Sequence, residues 1–254
     1  MKFYKIIGII SIVVFSFYLT DFATELAINS NPLMQTIKDS SDNYQVSSVN
    51  ATIKDNTIIP GIKGKKVNTM ESFLNMKDFG SFNINYLVYD SVVPSITLEQ
   101  NKDKVIISGN KKIRQISLLV KDNNEIKEYL NKNNIDYSYL INYLNEFDKE
   151  KINIESNKNK FLDLDTLLRK KDLNKKICIL DYSNIEICKN KKYYIVKPSI
   201  TLKNSNVVSS INMVEKGSII LIDNNLSLDN FKIFLKSIKS KDLKIVYLSE
   251  IIKE

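Results

Sequence analysis

The stretch that decides the fold is Glu215–Glu254, which reads EKGSIILIDNNLSLDNFKIFLKSIKSKDLKIVYLSEIIKE. Its apolar run at Ser218–Ile222 is typical of a buried parallel strand. From Leu228 to Ile238 the apolar residues recur at three- and four-residue spacing, which predicts a helix with one buried face. Ile245–Leu248 has the pattern of a second strand. We therefore predict two parallel strands of one sheet, bridged by a helix.

The same alternation of strand-length and helix-length segments extends upstream to Lys111. Asp122 and Glu125 have the spacing of a capping box, so a helix is expected to begin at Asp122. Strands separated by helices indicate an α/β fold, with a parallel sheet wrapped by helices. Further strands are predicted at Ile113–Val120, Ile135–Ile141, Lys176–Leu180 and Tyr193–Val196, and further helices at Leu164–Arg169 and Ile185–Asn190.

GSIILID at Gly217–Asp223 and VYLSEI at Val246–Ile251 resemble the closing strands of the polysaccharide deacetylase (NodB-homology) family, a group of carbohydrate esterase family 4. The resemblance extends over Lys111–Glu254 and is strongest at the end. It implies a distorted (β/α) barrel with fewer than eight strands. That family removes acetyl groups from N- or O-acetylated sugars, and its metal is held by one Asp and two His.

The resemblance also implies where the family's site residues fall in this chain. Lys121 stands at the position of the general base and Asp122 at that of the aspartate ligand. Asn157 and Phe161 stand at the positions of the two histidine ligands. Lysine is cationic at neutral pH and phenylalanine has no donor atom, and the chain contains no histidine. The expectation is therefore a protein without zinc and without any other cofactor.

Asp223 stands where the family has its histidine general acid, and Leu180–Asn184 lacks the motif of the arginine-containing cleft loop. A carboxyl group can act as an acid if its pKa is raised, but an aspartate at a strand end also suits a simple turn. The leading interpretation is a pseudoenzyme that binds a cell-envelope glycan or a partner protein. One alternative is a deacetylase or hydrolase with a carboxylate site at Asp122, Asp223 and Glu155, which would favour Mg²⁺, Ca²⁺ or Mn²⁺ over zinc. A second is a structural envelope protein without a ligand.

Two lysines in Met1–Lys5 precede an uncharged apolar run at Ile6–Leu19. This order is typical of a secretory targeting segment. The absence of a small-x-small cleavage site favours an uncleaved signal anchor, with a cleaved signal peptide as the alternative. We expect a single-pass protein of the cell membrane, with its N-terminus inside and its body extracytoplasmic. The predicted regions are an anchor at 1–20, a polar linker at 21–48, a small module at 49–110 and the deacetylase-like domain at 111–254.

The composition excludes one class of function and leaves a question about the cysteines. Lys and Arg number 37 against 29 Asp and Glu, a formal net charge of +8. These charges are not interleaved with an aromatic platform, so no nucleic-acid partner is expected. Cys178 and Cys188 could form a disulfide in an oxidising compartment or remain two buried thiols.

Overall fold

The structure is a computed structural model that describes residues 2–120, 123–139, 177–180, 185–190 and 192–254. The chain forms two compact units, Met1–Ser48 with Lys63–Val92 and Val49–Ile62 with Val93–Glu254. The helices are α1 (Lys2–Asn29), α2 (Pro32–Ser41), α3 (Thr69–Met76), α4 (Asn124–Lys132), α5 (Ile185–Asn190), α6 (Val207–Met213), α7 (Leu228–Ser240) and α8 (Leu248–Ile251). The strands are β1 (Thr52–Lys54), β2 (Thr57–Ile59), β3 (Gly64–Val67), β4 (Tyr89–Val92), β5 (Val105–Ile106), β6 (Gln115–Val120), β7 (Ser138–Tyr139), β8 (Ile177–Ile179), β9 (Tyr194–Val196), β10 (Ile200–Leu202), β11 (Ile219–Ile222) and β12 (Lys244–Val246).

The first unit contains the apolar helix α1 and a small packed core. Within α1, Ile10–Asn29 has the length and hydropathy of a membrane anchor or of a signal sequence. The side chains from Ile10 to Ala27 are exposed, as expected for a helix that packs against lipid. Asn31 caps the following helix α2 by accepting a hydrogen bond from the Leu33 N–H at 2.9 Å.

The core of this unit lies between α2, α3 and the antiparallel pair β3–β4. Met34 and Ile37 on α2 pack with Phe73 and Met76 on α3, and all four are buried. Ser72 is also buried, and its hydroxyl accepts a hydrogen bond from the Val88 N–H at 2.9 Å.

The second unit contains two sheets. The C-terminal sheet has the strand order β10–β11–β6–β12, with every pair parallel and with β7 also parallel to β6. The mixed sheet has the order β1–β2–β5–β9–β8, in which only the β1–β2 pair is antiparallel. The α/β fold expected from the sequence is therefore confirmed. Closure of the strands into a barrel is not, because no strand of one sheet pairs with a strand of the other within the described ranges.

Side-chain alternation along β6 divides the core of the second unit into two layers. Ile116, Leu118 and Val120 pack in the layer that also contains the buried residues of α4 and α7. Leu119 points to the other face and shares a cluster with Ile106 of the mixed sheet. The period of two that separates these faces is the ordinary geometry of a strand.

The tail of the chain folds largely as predicted. β11 and β12 are parallel strands of one sheet and α7 connects them, although β6 lies between the two strands. One prediction was wrong: Leu248 begins α8 instead of ending a strand. A second was also wrong, because Asn123 and not Asp122 is the N-cap of α4. The strand β10 and the helix α6 were not predicted, and the expected helix at Leu164–Arg169 lies outside the described residues.

Candidate functional site

The candidate site is the edge of the C-terminal sheet at which its strands end, here named the carboxyl edge. Val120 at the end of β6 pairs with Ile222 at the end of β11, and Leu202 at the end of β10 also pairs with Ile222. Three parallel strands therefore end at one level. In open α/β sheets, ligands bind outside the carboxyl ends of the strands.

Asp223 is the first residue after β11 at this edge, and its side chain is half-buried. Its carboxylate oxygen Oδ1 accepts a hydrogen bond from the Asn225 N–H at 3.0 Å. Its own N–H donates to the Leu202 carbonyl at 3.0 Å, and its carbonyl accepts from the Leu226 N–H at 3.1 Å. This is an Asx-turn, in which the side chain of the aspartate organises the loop that follows it.

Asn123 follows β6 and lies two positions after Lys121. It contacts the loop after Asp223 from the side of β6. It is only 7% exposed. Its Oδ1 accepts from the Ile126 N–H at 3.1 Å and so caps α4. Its Nδ2 donates to the carbonyls of Asn224 and Leu226, at 2.9 and 3.0 Å. All three of these hydrogen bonds join the Asn123 side chain to backbone groups of the protein.

Asn204, which follows β10, fixes the loop from the other side. Its Nδ2 donates to the Asn225 carbonyl at 2.8 Å. Its Oδ1 accepts from the Ser227 N–H and from the Nδ2 of Asn230, both at 2.9 Å. We call Asn123, Asn204 and Asn230 the amide clamp. Asn123 and Asn204 bond to backbone groups of residues 224–227 from the strands on either side of β11, and Asn230 of α7 bonds to Asn204.

Of the residues that the sequence analysis placed in a site, only Asp223 lies within the described ranges. Lys121, Asp122, Glu155, Asn157 and Phe161 lie outside them. Within the described part of the chain, no group of three or more Cys, Asp or Glu side chains is placed to hold a metal ion. The amide clamp was missed by the sequence analysis. Its one visible signal is the position of Asn123 and Asn204 just after apolar strands, which is a common place for asparagine in any protein.

The two cysteines form a disulfide that joins β8 to α5. Their Cα atoms are 6.3 Å apart, and both side chains are buried. The loop that this bond closes includes residues 180–184, which the resemblance aligns with the cleft loop of the deacetylase family. Of these, 181–184 lie outside the described residues. A disulfide at this position is typical of a protein that folds in an oxidising compartment.

A second polar cluster lies on the mixed sheet. The hydroxyl of Tyr194 donates to the carboxylate of Glu99, and Lys102 pairs with the same carboxylate while its ammonium lies 5.2 Å from the centre of the Tyr194 ring. Burial raises the pKa of Tyr194 well above its usual value of 10.0, and the hydrogen bond to Glu99 and the negative charges of Glu99 and Glu254 raise it further. Tyr194 therefore stays protonated at any physiological pH.

No profile of a known protein family matches the chain. The wild-type BA3943 protein of Bacillus anthracis, a CE4 family pseudoenzyme, has a crystal structure with a TM-score of 0.55 and 16% identity, over 87% of this chain and 95% of that chain. A mutant of BA3943 with restored enzymatic activity gives the same TM-score and 18% identity, over 87% of this chain and 98% of that chain. The fold is that of a divergent polysaccharide deacetylase-like domain.

The sequence of this deacetylase-like chain also matches part of the uncharacterized protein YlxY of Bacillus subtilis. The two are 34% identical over 93 residues, which are 36% of this chain and 29% of YlxY. The match thus spans less than a third of the relative's length.

The carboxyl edge of the deacetylase-like domain can do little chemistry with the residues that the structure describes. Of the carboxylates that the sequence analysis assigned to a site, Asp223 is the one within the described residues, and its Oδ1 is bonded to its own loop. The amides of the clamp bond to backbone groups and to one another. The loop is therefore held by hydrogen bonds within the protein, and the side chains of Asn224 and Asn225 are its exposed amides.

Proposed function

We propose that the protein is a membrane-anchored, extracytoplasmic pseudoenzyme of the deacetylase type, which binds a cell-envelope glycan or a partner protein without turning it over. One observation carries the proposal. The chain contains no imidazole, and Asp223, which the resemblance aligns with the histidine acid, has its Oδ1 engaged by the Asn225 N–H in a loop held by the amide clamp. The likeness to the BA3943 pseudoenzyme supports the same conclusion.

The donor set does not fit the metal that the deacetylase fold implies. Catalytic zinc requires three protein ligands, usually nitrogen or sulfur with a carboxylate, and an open position for water. The aligned residues are Asp122, Asn157 and Phe161, which provide one carboxylate, one weak amide oxygen and no third ligand. Lys121 at the base position is cationic and cannot accept a proton from water. The proposed function therefore includes no step that depends on a metal.

We infer further that the two sheets are parts of one distorted barrel. Leu119 and Leu221 of the C-terminal sheet share a buried cluster with Ile106 and Val196 of the mixed sheet, as the residues inside a barrel would. The chain also passes from β9 to β10, and so from one sheet to the other, through a three-residue link at 197–199. An experimental structure would test this directly: hydrogen-bonded pairing between a strand of one sheet and a strand of the other is expected, and two sheets without such a pair would contradict the barrel.

Glycan binding and turnover can be measured on one preparation of the full chain in detergent. We expect the protein to sediment with insoluble peptidoglycan or chitin, and to release no acetate from acetylated chitooligosaccharides with or without added Zn²⁺, Co²⁺ or Mn²⁺. Asp223→Ala is compared with Asp229→Ala, whose side chain is 92% exposed on α7. Metal-dependent acetate release that is lost in Asp223→Ala and kept in Asp229→Ala would replace the pseudoenzyme with the carboxylate-site hydrolase. A protein that neither sediments with glycan nor retains an envelope protein would be the structural component without a ligand.

The location of the protein is tested separately. With α1 as an uncleaved anchor, protease added to protoplasts should degrade the body of the chain and leave a short protected fragment that contains residues 10–29. Complete protection of the body would contradict the topology. A soluble mature form released into the medium would instead assign α1 as a cleaved signal sequence.

A further inference from the structure

The edge of the C-terminal sheet at which its strands begin, here named the amino edge, is strongly basic. Because the strands are parallel, the segments that lead into β6, β11 and β12 meet at this edge. These three segments carry seven basic and two acidic residues, a net charge of +5 in a chain whose total is +8. The residues are Lys111, Lys112, Arg114, Glu215, Lys216, Lys239, Lys241, Asp242 and Lys244.

Strand register distributes part of this charge along the edge. Lys244 at the start of β12 pairs with Gln115 at the start of β6, and the Gly217 N–H donates to the Gln115 carbonyl at 2.7 Å. Gly217, Gln115 and Lys244 therefore stand at one level, and Lys216 and Arg114 each lie one residue before it. Neighbouring strands are about 4.8 Å apart, so these cations extend over about 10 Å of the edge.

The two acidic residues hold the edge together but do not neutralise it. Arg114 is fixed to the turn before β12: its guanidinium donates to the carbonyls of Lys241 and Asp242, each at 3.1 Å, and pairs with the Asp242 carboxylate at 3.2 Å. Lys111 pairs with Glu215 at 2.5 Å, which ties the segment before β6 to the one before β11.

Four of the remaining cations are available to a ligand: Lys239 at the end of α7, which is exposed and has no ion pair within the described residues, and the three lysines next to the strand starts. Lys112, Lys216 and Lys244 are exposed, and no ion pair joins them to any residue in the described ranges. The Arg114 guanidinium at the same edge is positioned by its contacts with Lys241 and Asp242. A rigid edge with four exposed ammonium groups attracts anions more strongly than the same charges spread over a surface.

We propose that the amino edge binds a linear phosphodiester polyanion, such as a polyol-phosphate chain. Guanidinium and ammonium groups form charge-assisted hydrogen bonds with phosphate oxygens. Cations distributed along a sheet edge fit the repeated charges of a linear polymer better than a single anion, which requires donors that converge. No aromatic side chain occurs in the segments 111–114, 215–217 and 239–244, so nothing there would stack on a nucleobase. The site lies at the opposite edge from Asp223 and does not depend on the proposed function.

The test uses the full chain in nanodiscs of zwitterionic lipid, with linear poly(glycerol phosphate) as the probe. The triple variant Lys112→Gln, Lys216→Gln, Lys244→Gln should bind the polymer at least tenfold more weakly. The slope of log affinity against log salt concentration should fall by about 2 to 3, since each phosphate contact contributes about 0.7 to 0.9. The matched control is Lys54→Gln, Lys189→Gln, Lys203→Gln, which removes the same charge from exposed lysines on β1, on α5 and after β10, outside the segments of the amino edge, and should change affinity less than twofold.

Each other outcome would overturn the proposal. Equal loss in both triple variants would mean that only net charge matters. Binding to phosphatidylglycerol vesicles without binding to the polymer would assign the edge to a lipid surface. Competition by millimolar inorganic phosphate would indicate a site for a single anion. All the substituted lysines are exposed, so unchanged thermal unfolding is expected for both variants and is measured in parallel.

Discussion

The amide clamp makes a quantitative prediction at Asn123. Asn123→Ala removes the N-cap of α4, which costs about 1 kcal/mol. It also removes two hydrogen bonds to the carbonyls of Asn224 and Leu226, each worth about 1 kcal/mol at a buried site. The total is about 3 kcal/mol, which corresponds to a fall in melting temperature of about 6 to 12 °C for a unit of this size.

Two further variants separate these contributions. Asn123→Ser keeps an oxygen that can cap the helix and loses both donated bonds, so it should cost about 2 kcal/mol. Asn124→Ala is the matched control. This neighbouring asparagine is exposed, and its Oδ1 accepts a hydrogen bond from the Lys127 ammonium at 3.2 Å. It should change stability by less than 0.5 kcal/mol.

Calorimetry of the full chain gives the stability, and hydrogen exchange gives its location. In Asn123→Ala the Ile126 and Leu226 amides should lose protection before the amides of β6 and β11, because the clamp holds the loop and the helix start and not the sheet. A cost below 0.5 kcal/mol, or equal loss of protection across the whole sheet, would refute the claim that the clamp orders this loop.

Three other predictions concern residues outside the amide clamp. Cys178 and Cys188 should form a disulfide in protein from intact cells, and should therefore resist alkylation until the protein is reduced. Loss of the bond in the double alanine variant should lower the free energy of unfolding by about 3 kcal/mol, because the unfolded chain is no longer constrained by the closed loop. Full alkylation without reductant would contradict both the bond and an oxidising location. Ser117→Ala should leave the free energy of unfolding in urea unchanged or raise it by about 1 kcal/mol, because the buried Ser117 hydroxyl has no partner among the described residues. Ser72→Ala should lower it by about 1 to 2 kcal/mol, because the Ser72 hydroxyl accepts a hydrogen bond from the Val88 N–H. A larger loss in Ser117→Ala than in Ser72→Ala would show that Ser117 has a partner. Because the pKa of Tyr194 is raised in the folded protein, its contribution to stability is complete below pH 10 and declines as the pH rises above that value; Tyr194→Phe should flatten this alkaline decline, and an unchanged decline would assign it to other groups.

The sequence predicted those parts of the fold in which local pattern and burial agree. β11 is a continuous apolar run because it is buried on both faces, and α7 buries Phe231, Phe234, Leu235 and Ile238 at helical spacing. β10 has only three residues between a proline-containing link and a polar turn, too few to show a period. Leu248 belongs to the apolar run of β12 by composition, and only packing in the second unit makes it helical.

The candidate site was less predictable because its contacts join distant segments. Asn123 and Leu226 are 103 positions apart in sequence, and their hydrogen bond exists only because β6 and β11 are adjacent. The capping-box pattern predicted that α4 begins at Asp122, but Asn123 is its N-cap. The same Asn123 side chain also donates a hydrogen bond to the loop after β11. No local pattern distinguishes an asparagine that caps a helix from one that also bridges two loops.

The two edges of the C-terminal sheet use their polar groups in opposite ways. Catalysis depends on interactions that are stronger in the transition state than in the ground state, and these require polar groups that are not already committed within the protein. At the carboxyl edge the described amides of the clamp and the Oδ1 of Asp223 bond to the protein itself. At the amino edge, Lys112, Lys216 and Lys244 lie in segments that meet at one end of the sheet, are exposed, and have no ion pair within the described residues. If the proposed binding is correct, loss of the amino-edge lysines should weaken polyanion binding, and Asp223→Ala at the carboxyl edge should leave it unchanged.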